Sequence, residues 1–479
     1  MGVRKSLGSK KGQLFWQFMS ETALIAFVST ILGYIIAMLF LPSLNELFNS
    51  DISSDILFDW RVLTFITLTF IISTVVSGAY PGLILANFKP ITALKGKLAQ
   101  VSVGGFNLRR SLIVVQFVIS QVLIIGMLVI IKQMKYSQNA DLGFDKEAVV
   151  MIPVATGMEA KGFTTFKERL SAFPGIESTT VCMAAPASQV FWGNSITFKG
   201  KAEQEAFPMS VRGGDENYVK TFGLNIIAGR NIAASDTINE LLINETFVKK
   251  MNWESPNEAI GKFMETNGVN DVQIVGVVRD FHDRSMHGDI SAVGIGAYNE
   301  VYWNFGVKVN PVNISGSLKS IEEVWTSMNP NGIFSYEFVD ESIAKFYASE
   351  QTFLKLIQLF TIIAIFIGSM GLYGLISFMV ERKTKEIGVR KVLGSTNAAI
   401  LWLFGKEFGL LLLVSFTVAS PLAWWLGTEW LQDFKYQVEI SPAQFGYALG
   451  ISTLIALVAI GYKALQASLA NPVDSLRSE

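Results

Sequence analysis

The chain has 479 residues, half of them hydrophobic and only 16% charged, with a formal net charge of −1. A soluble domain carries about 25% charged residues, so this composition excludes an ordinary soluble enzyme and, with no basic excess, a nucleic-acid binder. The single cysteine, Cys182, excludes an internal disulfide framework and a cysteine-based zinc site.

In chain order, residues 1–14 form a basic segment with Arg4, Lys5, Lys10 and Lys11 and no acid. Apolar runs long enough to cross a bilayer core of about 30 Å come next, at roughly 15–41, 62–86 and 111–133. Three more stand at roughly 353–380, 400–427 and 443–465. Loop 43–60 carries Glu46, Asp51, Asp55 and Asp59 and no base, whereas 87–110 carries Lys89, Lys95, Lys97, Arg109 and Arg110 and no acid. Segment 381–397 is again basic and 428–442 mostly acidic. Because positive charge stays in the cytoplasm, both termini are expected inside and residues 134–352 outside.

That outer segment has the texture of a folded α+β domain, long enough for two lobes. Ala148–Ile152 and Val272–Val278 read as strands and Thr164–Ser171 as an amphipathic helix. Phe173-Pro-Gly175, Gly213-Gly-Asp215 and Asn329-Pro-Asn-Gly332 read as turns. The expected fold is an α-helical polytopic membrane protein of six spans with an inserted α+β extracytoplasmic domain.

The chain also repeats itself. Gly2-Val-Arg-Lys-Ser-Leu-Gly-Ser9 recurs as Gly388-Val-Arg-Lys-Val-Leu-Gly-Ser395, Trp16, Phe18 and Glu21 answer Trp402, Phe404 and Glu407, and Pro90–Lys95 answers Pro472–Arg477. These are two parallel copies of a two-span unit. The second copy is preceded by a further span and the first only by Met1, so a truncated N-terminus is expected. Gly388 and Gly394 are expected to bracket a short surface helix, with Arg390 and Lys391 on its charged face and Val389, Val392 and Leu393 on its apolar one.

Lys385–Ser395 resembles the cytoplasmic signature of the FtsX-like permeases, the family of ABC-system membrane subunits that includes MacB and the lipoprotein-release proteins. The outer segment is similar to a MacB-like periplasmic core domain through Asp141–Asp145, Gly223–Arg230, Ile243–Thr246, Ala259–Lys262 and Gly276–His282. The resemblance implies a cytoplasmic coupling segment at 1–14, a first FtsX-like two-span unit at 15–97 and a third span within 98–133. It further implies the periplasmic core domain at 134–352 and an FtsX-like three-span unit at 353–479, in the inner membrane of a bacterium. The coupling residues it implies are Gly2, Arg4, Lys5, Gly8, Gly388, Arg390, Lys391, Leu393 and Gly394.

No Gly-x-x-x-x-Gly-Lys-Ser/Thr string occurs, so the chain is expected to have no cofactor and no enzymatic activity of its own. ATP and Mg would sit on a separate ABC ATPase partner. Other expected partners are the membrane, a second permease in a homo- or heterodimer, and a periplasmic adaptor or hydrolase. The function implied is a permease subunit that couples ATP hydrolysis to export or extraction of a lipoprotein, peptide or amphipathic drug. A regulatory subunit controlling a cell-wall hydrolase or a peptide-sensing kinase is the alternative.

Among residues outside the signature, Glu21 and Glu407 stand near span ends, where an acid either profits from the helix dipole or pins a bend. Gly368, Gly371 and Gly374 read as a packing face and Pro421 as a kink. His282 and His287, five apart with Asp280, Asp283 and Asp289 nearby, do not make a helical metal pair.

Overall fold

The computed structural model describes residues 10–87, 108–190, 192–199, 203–266 and 268–469. The elements in chain order begin with helices α1 (Lys11–Phe48), α2 (Trp60–Asn87) and α3 (Leu108–Asn139). The inserted domain then runs β1 (Val149–Pro153), α4 (Ala160–Ser171), β2 (Ile176–Cys182), β3 (Trp192–Asn194), β4 (Ile196–Phe198), β5 (Met209–Gly213), α5 (Tyr218–Thr221) and β6 (Ile226–Gly229). It continues through β7 (Glu240–Asn244), α6 (Glu245–Lys250), β8 (Phe263–Thr266), β9 (Val269–Val278), β10 (Val293–Gly296), β11 (Asn304–Val309), α7 (Ile314–Met328), β12 (Glu337–Phe338) and α8 (Val339–Lys345). Three long helices close the chain: α9 (Ala348–Val392), α10 (Asn397–Leu431) and α11 (Pro442–Leu469).

All six long helices are long and apolar enough to cross a membrane, as expected, and the chain is a multi-pass membrane protein with an inserted α+β domain. Their apolar side chains point outward: Leu24, Ile25, Phe65, Val76, Phe366, Leu410 and Val458 are all more than 60% exposed, a surface that water would not tolerate and acyl chains would cover. Trp16 and Trp402 are 70% and 73% exposed near the first turns of α1 and α10, where amphipathic rings anchor at the headgroups.

The repeat is structural as well as textual. Lys11 and Asn397, the first residues of α1 and α10, are equivalent positions, and each of these helices is followed by a loop and a second span. Within the first copy, α1 and α2 form a hairpin: a Cβ on Gly78 would meet the Met19 sulfur at 2.8 Å, and one on Gly82 the Phe15 ring at 3.0 Å. Helix α10 continues through Pro421.

The short surface helix expected between Gly388 and Gly394 is not a separate element. Helix α9 runs unbroken for 45 residues, with Gly388 buried inside it. A mid-helix glycine costs only about 1 kcal/mol relative to alanine, and the strong helix formers around it, with Glu386 paired to Arg390 at 2.7 Å, outweigh that. Gly394 alone behaves as expected. Its φ of +89° ends the helix, and the Ser395 N–H donates to the Arg390 carbonyl at 2.9 Å, the longer bond of a Schellman motif. Thr396 then caps α10 through its Oγ1, which accepts from the Ala399 N–H at 3.3 Å. The signature is thus a helix end, a left-handed turn and a helix start.

The inserted domain holds two sheets. One is antiparallel, in the order β12-β1-β11-β2. Helices α4 and α7 pack against it through Phe166, Leu170, Ile321 and Trp325, which meet Val150, Ile152, Phe305 and Val307 in one buried cluster. The other is mixed, in the order β3-β5-β10-β7-β9-β8-β4, with β6 added beside β9. Asp215 joins the two sheets. Its carboxylate accepts from the Thr180 hydroxyl, from Val181 N–H at 3.2 Å on β2, from Asn217 N–H at 3.1 Å, and pairs with Lys167 of α4 at 2.6 Å. Beside it Cys182 is fully buried, which pushes its thiol well above the ordinary range and keeps it inert.

Candidate functional site

Among the described residues, side chains of distant elements also converge at the signature end of the long helices and at the root of the inserted domain. Each is held by a small set of polar contacts.

At the signature end, Glu407 of α10 pairs with Arg110 of α3 at 2.9 Å and with Lys383 of α9 at 3.2 Å. One carboxylate therefore ties three helices. Arg109 lies over the Phe378 ring at 4.1 Å, and a Cβ on Gly371 would sit 2.5 Å from the Gln116 amide oxygen. That glycine lets α3 and α9 approach closely, as the packing reading expects, whereas a Cβ on Gly374 would meet nothing within 4 Å, so the face is not shared by all the span glycines. Glu407 thus does more than sit near a helix dipole. Its repeat mate Glu21 is exposed and accepts from Gln17 Nε2 at 3.0 Å, with no ion pair among the described residues.

Of the coupling residues expected from the sequence, Gly2, Arg4, Lys5 and Gly8 lie outside the described residues. So does the side chain of Lys391, whose backbone is the penultimate residue of α9. Arg390 is half exposed and pairs with Glu386. Val389, Val392 and Leu393 are 48%, 67% and 79% exposed, an apolar patch beside that arginine.

Sequence reasoning missed the second place. Gln133, fully buried near the end of α3, donates to the Tyr436 carbonyl at 2.9 Å and accepts from the Val438 N–H at 2.9 Å. It thereby grips the loop between α10 and α11. The Met286 carbonyl accepts from the Lys435 N–H of that loop at 3.2 Å, and the Met286 N–H donates to the Tyr347 hydroxyl at 3.0 Å. His287 stacks on Phe434 with ring centroids 4.2 Å apart and meets Glu350 at 3.2 Å, while His282 stands edge-on to Tyr436. The two histidines therefore both pack into this junction. Burial pushes the His282 imidazole below its ordinary value, the nearby aspartates offsetting only part of this. The signal in the sequence was a glutamine in an apolar span, which is costly unless satisfied.

The phrases of the inserted domain meet at the same root. Gly143 has φ +79°, and a Cβ there would meet the Asp280 carbonyl at 2.6 Å; the neighbouring His282 N–H donates to the Leu142 carbonyl at 2.8 Å. Gly229 (φ +75°) lies opposite Gly276, with the Val275 carbonyl where a Cβ would have to stand. Asp280 accepts from Thr246 N–H at 2.7 Å and pairs with Lys249 at 3.0 Å, while its own N–H donates to Glu245 at 2.9 Å. These contacts fasten the root to the rest of the domain.

Comparison with known proteins fits this architecture. The family model for the FtsX-like permease C-terminal region matches residues 1–90 and 359–472, and that for the MacB-like periplasmic core domain matches 112–318. Similar proteins include the macrolide export ATP-binding/permease protein MacB of Campylobacter fetus, 27% identical over 57% of this chain and 44% of that protein. MacB of Chromobacterium violaceum is 26% identical over 30% of this chain and 23% of its own length. The uncharacterized ABC transporter permease YknZ of Bacillus subtilis is 23% identical over 68% of this chain and 82% of its own. The match thus spans less than half the length of these MacB relatives. Among solved structures, the periplasmic region of MacB from Actinobacillus actinomycetemcomitans aligns with 17% identity and a TM-score of 0.30, over 41% of this chain and 91% of that one.

Proposed function

Since this chain belongs to the FtsX-like permeases that carry a MacB-like periplasmic core domain, we propose that it is the transmembrane subunit of an ABC system, passing motion from an ATPase to its inserted domain. The observation that carries this reading is α9. Its 45 residues form one helix, about twice the number a bilayer span needs. One end begins beside Tyr347 and Glu350 at the domain root, and the other ends in the exposed patch of Val389, Arg390, Val392 and Leu393. A continuous helix that joins a contact surface to a working domain passes displacement along without chemistry of its own. Nucleotide and Mg belong to the ATPase partner. The signature end, with Gly388, Arg390, Lys391, Leu393 and Gly394 and the first-copy residues Gly2, Arg4, Lys5 and Gly8, is its docking surface. The substrate is an amphipathic molecule, peptide or lipoprotein handled on the outer side of a bacterial inner membrane.

Arg390→Glu with Lys391→Glu should abolish co-purification of the ATPase while leaving the membrane level of the chain unchanged; retained association would rule out the docking surface. A tag beside Asn270 should be reached by a protease or antibody in spheroplasts whose inner membrane is intact. Access only after permeabilisation would invert the topology.

A further inference from the structure

The two copies of the repeated span pair are covered unequally. Along α10, the row Glu407, Leu411, Ser415, Ala419, Ala423 runs at i+4 spacing, with Ser415 and Ala419 0% and Ala423 2% exposed. Helix α3 meets both ends of that row: Arg110 meets Glu407 at 2.9 Å, and Ile124, Ile125 and Val129 pack in one cluster with Ala423. The equivalent row on α1 is Glu21, Ile25, Ser29, Gly33, Ala37. It has the same acid, an aliphatic residue, the same serine and then two small residues, but all five are exposed, Ile25 by 68%. The α2 helix packs elsewhere on α1, at Phe15, Met19 and Thr22. Among the described residues, no cation faces Glu21.

We propose that this row on α1 is a docking face for a membrane-spanning helix of the same design as α3. That helix carries an arginine or lysine opposite Glu21, and branched aliphatic residues further along that seat on Gly33 and Ala37. Charge decides the partner class. A carboxylate exposed close to a span is costly, and in the second copy this cost is removed by cations from neighbouring helices. A lipid chain would cover the small residues but leave the carboxylate unneutralised. The small residues at the far end let two backbones approach closely.

The test uses the full chain in nanodiscs of phosphatidylethanolamine and phosphatidylglycerol, with a photoreactive phenylalanine at Ile25 or, as a control outside the row, at Ile31. The probe is a biotinylated peptide of residues 107–135, the chain's own third span. Capture is expected at Ile25 and not at Ile31, to fall roughly fivefold with Arg110→Glu in the peptide, and to return when the chain carries Glu21→Arg. Glu21→Gln, which inserts more easily than the reversal, should also lower capture of the unmodified peptide. Equal capture at Ile25 and Ile31, crosslinks to lipid alone, or indifference to both charge changes would overturn the proposal.

Discussion

Replacing Asp215 with alanine is expected to cost about 3–5 kcal/mol, the penalty for removing one partner of a buried ion pair. The carboxylate is buried, accepts from two backbone N–H groups and one hydroxyl, and holds Lys167 at 2.6 Å. Alanine would leave all of these donors without it, and Glu216, 3.1 Å from Lys167, replaces only the charge. For a domain of this size the unfolding midpoint should drop by roughly 6–20 °C. Thermal melting of the purified chain followed by circular dichroism measures this; an unchanged midpoint would show that Asp215 does not join the sheets energetically. The pH dependence has a definite sign. For Lys167, burial works against the charge, but Asp215 and then Glu216 outweigh it and raise the ammonium above 10.5. Its pairing therefore stabilises the fold fully below 10.5 and is lost as the pH rises through the higher folded value. For Asp215, burial dominates over Lys167 and raises the carboxyl above 3.8. Protonation of Asp215 on acidification breaks the ion pair but favours the folded form, so stability tied to this pair should fall on the alkaline side and not the acid side.

The second large effect is expected at the domain root. Gln133→Leu keeps the size of the side chain but strands the Tyr436 carbonyl and the Val438 N–H, each worth about 1–3 kcal/mol when buried. Amide exchange over residues 432–441 should quicken by roughly 5–150-fold, the range that 1–3 kcal/mol corresponds to. If the chain works as the ABC subunit proposed above, the ATPase should still co-purify with this variant, but ATP turnover should no longer respond to substrate. Tyr347→Phe, which strands the Met286 N–H at the same junction, should produce a smaller change of the same kind. If exchange in the loop is unaltered by both changes, the junction does not fasten it.

Much of this was legible from the sequence because membranes impose a coarse code. Six apolar runs and alternating loop charge needed no tertiary information, and the repeat placed α1 and α10 in the same register before either was seen. Strands at Ala148–Ile152 and Val272–Val278 were readable from branched residues between turns, and they appear as β1 and β9. The error at Gly388 has a local cause. Glycine signals a cap only where the backbone needs the left-handed conformation, and the neighbouring residues decide that need. Gly394 has it, at φ +89°, just ahead of Thr396, which caps α10, whereas Gly388 is spanned by the Glu386–Arg390 pair and continues α9. The junction could not be read because its partners lie far apart in the chain. Gln133 and Tyr436, or Arg110 and Glu407, are separated by about 300 residues, and no periodicity connects them.

Gln133 grips peptide groups and not side chains: one carbonyl and one N–H of the loop between α10 and α11. The grip itself therefore places no demand on the side chains at those two positions, provided neither the Tyr436 carbonyl is turned away nor position 438 becomes proline; what holds them is packing, Tyr436 against His282 and Val438 against the cluster around Ile124. The glutamine has no such latitude. Glutamate would offer two acceptors and no donor, and leucine neither. Substitution scans should therefore find position 133 restricted to glutamine, while positions 436 and 438 accept other side chains that keep the packing.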